Sequence, residues 1–196
     1  MSTSRLDYQW LANFISNVAS PPVWMMGTAV FAALATAQAN AWLYILIYSL
    51  PVILLSTAFI FILYYQGIIS DLHVKSREER VKPMFAIAFA SILSSIGLSF
   101  SNAPSFLVLV AIAISAQLLG VALLTTFWKV SLHATTASAC IIMAYWFSPW
   151  LGLLLIPILI AVVWARLWLQ YHTPGQIAGG IVLSLVTLGL GLLLFA

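Results

Sequence analysis

The chain has 196 residues, of which 64% are hydrophobic and only 6% charged, whereas a soluble domain carries roughly a quarter charged residues to cover its surface. Bulk water is thereby excluded as its main solvent. The net charge of +3 rests on seven Lys and Arg against four Asp and Glu, which is local clustering rather than a surface for nucleic acid. The single cysteine, Cys140, lies in an apolar run and excludes an internal disulfide.

From the start of the chain, Trp10, Leu11, Phe14, Ile15 and Val18 fall at helical spacing and predict a short amphipathic helix in the membrane interface. Residues 22–34 followed by Ala35-Thr36-Ala37 imitate a secretory signal, but the long preceding segment, with Asp7 and only Arg5 as a base, makes a poor leader. Apolar stretches then recur near 22–38, 41–67, 84–100, 105–126, 131–148, 150–168 and 179–196, each near the length that crosses ~30 Å of hydrocarbon. Pro21-Pro22, Gln38 to Asn40, Asn102-Ala103-Pro104 and Pro149 mark the boundaries. The expectation is an all-α, polytopic transmembrane helical bundle of six to seven spans, forming one membrane domain over residues 1–196.

With seven crossings, segments 1–20, 68–83, 127–133 and 166–178 share one membrane side and hold every Lys, Arg, Asp, Glu and His of the chain. The positive-inside rule explains the Lys and Arg and predicts a cytoplasmic location for that side. It does not explain the histidines. A polar site assembled from several loops, with cations holding an anionic headgroup, explains both.

Three of these segments carry chemistry. In the first, Lys75, Arg77, Arg80 and Lys82 lie within eight residues and could clamp a phosphate, or simply form a solvated helix face. Ser76 and Glu79 have capping-box spacing, predicting a short helix that stops before Pro83. The second places Ser131 and His133 at a span entrance. The third runs from Arg166 to His172 and on through Thr173, Pro174 and Gln176, which fit an N-cap, N1 and N3. His172 thus sits at a helix start, a location that favours anions.

In this order and at this spacing, the three segments resemble the signatures of the type-2 phosphatidate phosphatase superfamily of membrane lipid phosphatases. Its pattern is Lys-x6-Arg-Pro, then Pro-Ser-Gly-His, then Ser-Arg-x5-His-x3-Asp. Lys75 to Pro83 follows the first, with Lys82 in place of arginine. Ser131 and His133 follow the second, with Val130 and Leu132 in place of proline and glycine. Arg166 and His172 follow the third, with Ala165 and Gln176 in place of serine and aspartate. His172-Thr173 followed by Gln176 also resembles the dolichyl-diphosphatase branch. The likeness covers about residues 70–180.

The resemblance implies a metal-independent hydrolysis of a lipid phosphate or diphosphate, with polyprenyl and phosphatidate-type lipids as candidate substrates. His172 would attack phosphorus and form a phosphohistidine, and His133 would be the general acid and then the base. Gln176 would orient His172. Lys75, Lys82, Arg166 and Ser131 would hold the phosphoryl oxygens, with Arg77 and Arg80 as alternative clamps. No cofactor is implied, and the sequence lacks the carboxylate cluster that a magnesium-dependent phosphatase needs. The expected home is the plasma membrane of a prokaryote. A catalytically silent relative that binds anionic headgroups or scaffolds membrane partners is the alternative, and a transporter is disfavoured because no charge falls at a span midpoint. Gly175 and Gly179 have the spacing for close helix packing, within one chain or between two, so oligomeric state stays open.

Overall fold

The computed structural model describes residues 3–36, 38–70 and 77–195, with side chains from residue 7 onward. Every regular element among them is helical: α1 Thr3–Val18, α2 Pro21–Thr36, α3 Ala41–Tyr65, α4 Arg77–Ser99, α5 Ser105–Thr125, α6 Leu132–Phe147, α7 Pro149–Trp168, α8 Pro174–Ser184, a π-helical turn Leu185–Gly189, and α9 Leu190–Phe195. Four helices, α3, α4, α5 and α7, together with the run Pro174–Phe195, are long and apolar enough to cross a bilayer. The pair α1 and α2, bent by 41°, makes a sixth crossing if counted as one span. On α3, Leu46, Leu50, Ile53 and Leu54 each leave more than half their surface exposed, a face that only lipid accommodates. The protein is a polytopic helical membrane protein.

The seven expected stretches each contain a helix, but α6, at 16 residues, is only about 24 Å long. It lies inside the protein, with Ala134, Ala137, Cys140, Met143 and Ala144 nearly inaccessible. One boundary differs from expectation. The first polar segment does not stop before Pro83, because α4 starts at Arg77 and continues through that proline to Ser99. In the second turn, the missing Pro83 N–H deprives only the Glu79 carbonyl of its helical donor, near enough to the polar end to be solvated. Ser76, the expected cap, lies outside the described residues. The Glu79 carboxylate accepts instead from the Ser70 N–H and hydroxyl, at 3.2 and 3.1 Å.

The chain forms two compact units, Met1–Ala35 with Val130–Gly189, and Thr36–Lys129 with Leu190–Ala196. In the first, α6 is surrounded by its neighbours, and three glycines set how closely they approach, Gly27 of α2 against Cys140 among them. A Cβ on Gly152 would stand 2.5 Å from Tyr145 Cβ, so the α6–α7 corner admits no side chain there. A Cβ on Gly180 would meet Thr135 Oγ1 at 2.6 Å and the Ser131 carbonyl at 2.8 Å, which brings α8 directly onto the start of α6. Helix α1 rests on α7 with Ala12 and Ser16 turned inward, while Trp10, Phe14 and Val18 are more than half exposed. Most of the apolar stripe that marked α1 in the sequence therefore faces outward, and small residues share its contact with Ile15 and with Tyr8, whose ring lies 5.5 Å from that of Trp168.

The second unit contains α3, α4, α5 and α9. Its buried centre is a hydroxyl network. Tyr48 on α3 bonds Ser91 on α4, and Ser115 on α5 lies 2.7 Å from both Ser91 Oγ and Ser95 Oγ. Ser91 and Ser95 of the serine-rich α4 thus have a packing role, since both hydroxyls find partners away from lipid.

Candidate functional site

The third polar segment folds as its spacing predicts. Thr173 caps α8: its Oγ1 accepts the Gln176 N–H at 3.3 Å, and Gln176 Oε1 accepts the Thr173 N–H at 3.1 Å. The same Oε1 lies 3.3 Å from His172 Nδ1. An amide oxygen only accepts, so Nδ1 carries the hydrogen and the lone pair of the neutral ring falls on Nε2. His172 is 6% exposed, and the first N–H groups of α8 follow it in the chain. One side chain, Gln176, both starts the helix and fixes the imidazole.

Arg166 lies in the last turn of α7. That helix ends in a Schellman motif: the Gln170 N–H bonds the Leu167 carbonyl at 3.0 Å and the Tyr171 N–H bonds the Arg166 carbonyl at 3.1 Å. Gln170 supplies the left-handed residue, at φ 54°, where glycine would be the usual choice. The turn folds Tyr171 back so that its ring lies 4.6 Å from the Arg166 guanidinium carbon, a cation–π contact. Arg166 Nη1 also donates to Ser16 Oγ at 2.7 Å.

The second polar segment meets the third through the main chain. The Ser131 N–H bonds the Gln176 carbonyl at 3.2 Å. Ser131 is fully buried and caps α6, its Oγ accepting the Ala134 N–H at 3.4 Å. Two residues on, His133 is half-buried and its Nε2 lies 3.2 Å from the Ser16 carbonyl. Since a carbonyl cannot donate, that nitrogen bears the hydrogen.

Of the first segment, Lys75 lies outside the described residues. Arg77, Arg80 and Lys82 belong to the second compact unit, on the first two turns of α4. Arg77 is tied to the end of α5, donating from Nη1 to the Thr126 carbonyl at 2.9 Å and from Nη2 to Glu78 Oε1 at 3.2 Å. Arg80 is half-buried and Lys82 exposed.

Within the first unit the candidate residues make two hydrogen-bonded groups, His172 with Gln176 and Ser131, and His133 with Ser16, Arg166 and Tyr171, joined through the chain at Ser131 to His133 and at Tyr171 to His172. Sequence reading passed over Ser16 and Tyr171. Tyr171 was detectable as the aromatic neighbour of His172. Ser16 was masked by the stronger apolar stripe of α1, although Ala12, Ser16 and Ala19 mark the opposite face at spacings of four and three.

No family model, curated protein or solved structure matches this chain. Its functional reading is therefore carried by these residues and their geometry.

Proposed function

We propose that the protein is a membrane-embedded lipid phosphatase acting on a phosphate monoester or diphosphate through a phosphohistidine, without a metal. The observation that carries this reading is the link from His172 to Gln176 to Ser131. It gives a histidine at a helix start the tautomer a nucleophile needs, and it ties that helix start to the segment bearing the second histidine. His172 Nε2 attacks phosphorus and the P–O bond to the lipid or leaving phosphate breaks, with His133 supplying the proton. Water then attacks the phosphohistidine, His133 takes its proton, and inorganic phosphate leaves with the His172 ring restored. Arg166 holds the phosphoryl oxygens alike in the bound lipid and in the transition state. Lys75 and Lys82 stand at the sequence positions where the resembled family completes its clamp.

The substrate class follows from the solvent. A lipid phosphate reaches such a site without leaving its leaflet. The clustering of Lys and Arg on one set of loops favours a cytoplasmic position for the site, in a prokaryotic plasma membrane.

The test uses purified full-length protein in detergent, offered polyprenyl diphosphate, polyprenyl phosphate and phosphatidate, with released phosphate measured. His172→Ala abolishes release and the acid-labile, base-stable phosphoryl label on the protein. Absence of release from every lipid, or release indifferent to His172→Ala, overturns the enzyme and leaves a headgroup-binding protein.

A further inference from the structure

Ser16 holds two side chains that reach it from different helices. Its Oγ accepts from Arg166 Nη1 at 2.7 Å, and its carbonyl lies 3.2 Å from His133 Nε2. The carbonyl is available because α1 ends at Val18, two residues short of the N–H that would bond Ser16 in a continuing helix. His133 supplies it. With Nε2–H directed at Ser16, the proton that His133 passes to a leaving oxygen must come from Nδ1 of the imidazolium.

Ser16 is itself firmly placed. It is 6% exposed, between the buried Ala12 and Ala19 of the same face. The chain direction just beyond it is fixed by Trp24, whose indole N–H bonds the Ala19 carbonyl at 3.0 Å. Trp24 and Ala19 belong to a buried cluster with Ala137, Cys140 and Val162, taking in α6 and α7. The position of Ser16 is therefore referenced to the same two helices that carry His133 and Arg166.

We propose that Ser16 is a positioning residue of the phosphatase site, setting the Arg166 fork and the His133 ring in one register so that a phosphoryl group meets both at once. This rests on the phosphatase reading. The two contacts have separable effects: substitution removes the hydroxyl but leaves the carbonyl. Arg166 loses one of its contacts while His133 keeps its acceptor.

Steady-state kinetics in detergent, with a lipid phosphate that the wild type hydrolyses, test this. Ser16→Ala raises KM roughly tenfold, the size of one lost hydrogen bond to a charged group, and changes kcat by less than about threefold. Ser16→Thr, which keeps the hydroxyl, restores KM. Should the alanine variant fail to fold, Ser16→Cys keeps the volume with a poor acceptor and shows the same rise in KM. An unchanged KM in the variants lacking the hydroxyl, or a defect that Thr does not repair, makes Ser16 merely structural and overturns the proposal while the phosphatase reading stands. A wild type that releases no phosphate is recognised before any Ser16 variant is made, and it removes both.

Discussion

The Ser131 N–H is bonded to the Gln176 main-chain carbonyl at 3.2 Å, so two helix starts 45 positions apart in the chain share one hydrogen bond. The Gln176 side chain meanwhile caps α8 and faces His172. Gln176→Ala therefore has two effects: a loss of about 1 kcal/mol from the capping box, and a fall in kcat of tenfold to a hundredfold on the order expected for a misoriented base or nucleophile. Gln176→Glu retains the cap. Thermal unfolding and phosphate release, measured on the same preparations, separate the two effects.

Gly180 is where α8 touches α6. Gly180→Ala puts a methyl within 3 Å of Thr135 Oγ1 and the Ser131 carbonyl, and backbone cannot yield as a flexible side chain does. The expected cost is about 1–3 kcal/mol of stability, with reduced activity because the two starts separate. Ala178→Gly, on an exposed position of the same helix, is the control for helix propensity, at about 1 kcal/mol. Denaturation midpoints in detergent compare the two.

Much of this was legible beforehand. The long spans followed from hydropathy because lipid demands it, although the crossing expected at 131–148 is the 16-residue α6, and the α8 cap followed because Thr173, Pro174 and Gln176 each have a local reason to be where they are. The pairing of Ser131 with Gln176, and of Ser16 with His133 and Arg166, was not legible. Those contacts depend on helix packing, and packing here is set by small residues that leave little trace in hydropathy. Gly180 makes a close approach that the spacing of Gly175 and Gly179 did not single out, with the Ser184 hydroxyl one turn on donating to the Thr135 carbonyl at 2.6 Å. A shift of one position turns a helix face by about 100°, and only the neighbouring helix decides it. The extension of α4 past Pro83 failed to show for a similar reason, since the rule that proline ends a helix weakens near a polar helix end.

Gln170 pays for its left-handed backbone with steric strain that glycine does not have. Gln170→Gly should stabilise the α7–α8 turn by about 0.5–1 kcal/mol, seen as a higher unfolding temperature. Tyr171 then keeps its place over Arg166 and activity is unchanged.

Two buried serines should respond oppositely to removal of the hydroxyl. Ser115→Ala takes a partner from both Ser91 and Ser95, with an expected loss of about 0.6 to 1.7 kcal/mol. Ser138 Oγ on α6 is buried and has no hydrogen-bond partner among the described residues, so Ser138→Ala removes a desolvated polar atom and should raise stability by about 1 kcal/mol. Paired thermal melts read both.

The side of the membrane is accessible by labelling. In a Cys140→Ala background, Asn40→Cys should react with an impermeant maleimide on intact cells, and Ser70→Cys only after the cells are opened. The reverse pattern assigns the site to the external face.

The hydroxyl network also constrains how the protein is made. Of the five long spans, α4 has the lowest mean hydropathy, 1.7, and two of its serines are satisfied through Tyr48, synthesised before it, and Ser115, synthesised after it. A helix leaving the insertion machinery with those groups unmet is held in the bilayer only weakly. Its commitment to the membrane therefore waits on α5: in a nascent chain halted at the loop after Ser99 a cysteine placed in α4 should still react with an aqueous maleimide, while in one extended past Thr125 it should not.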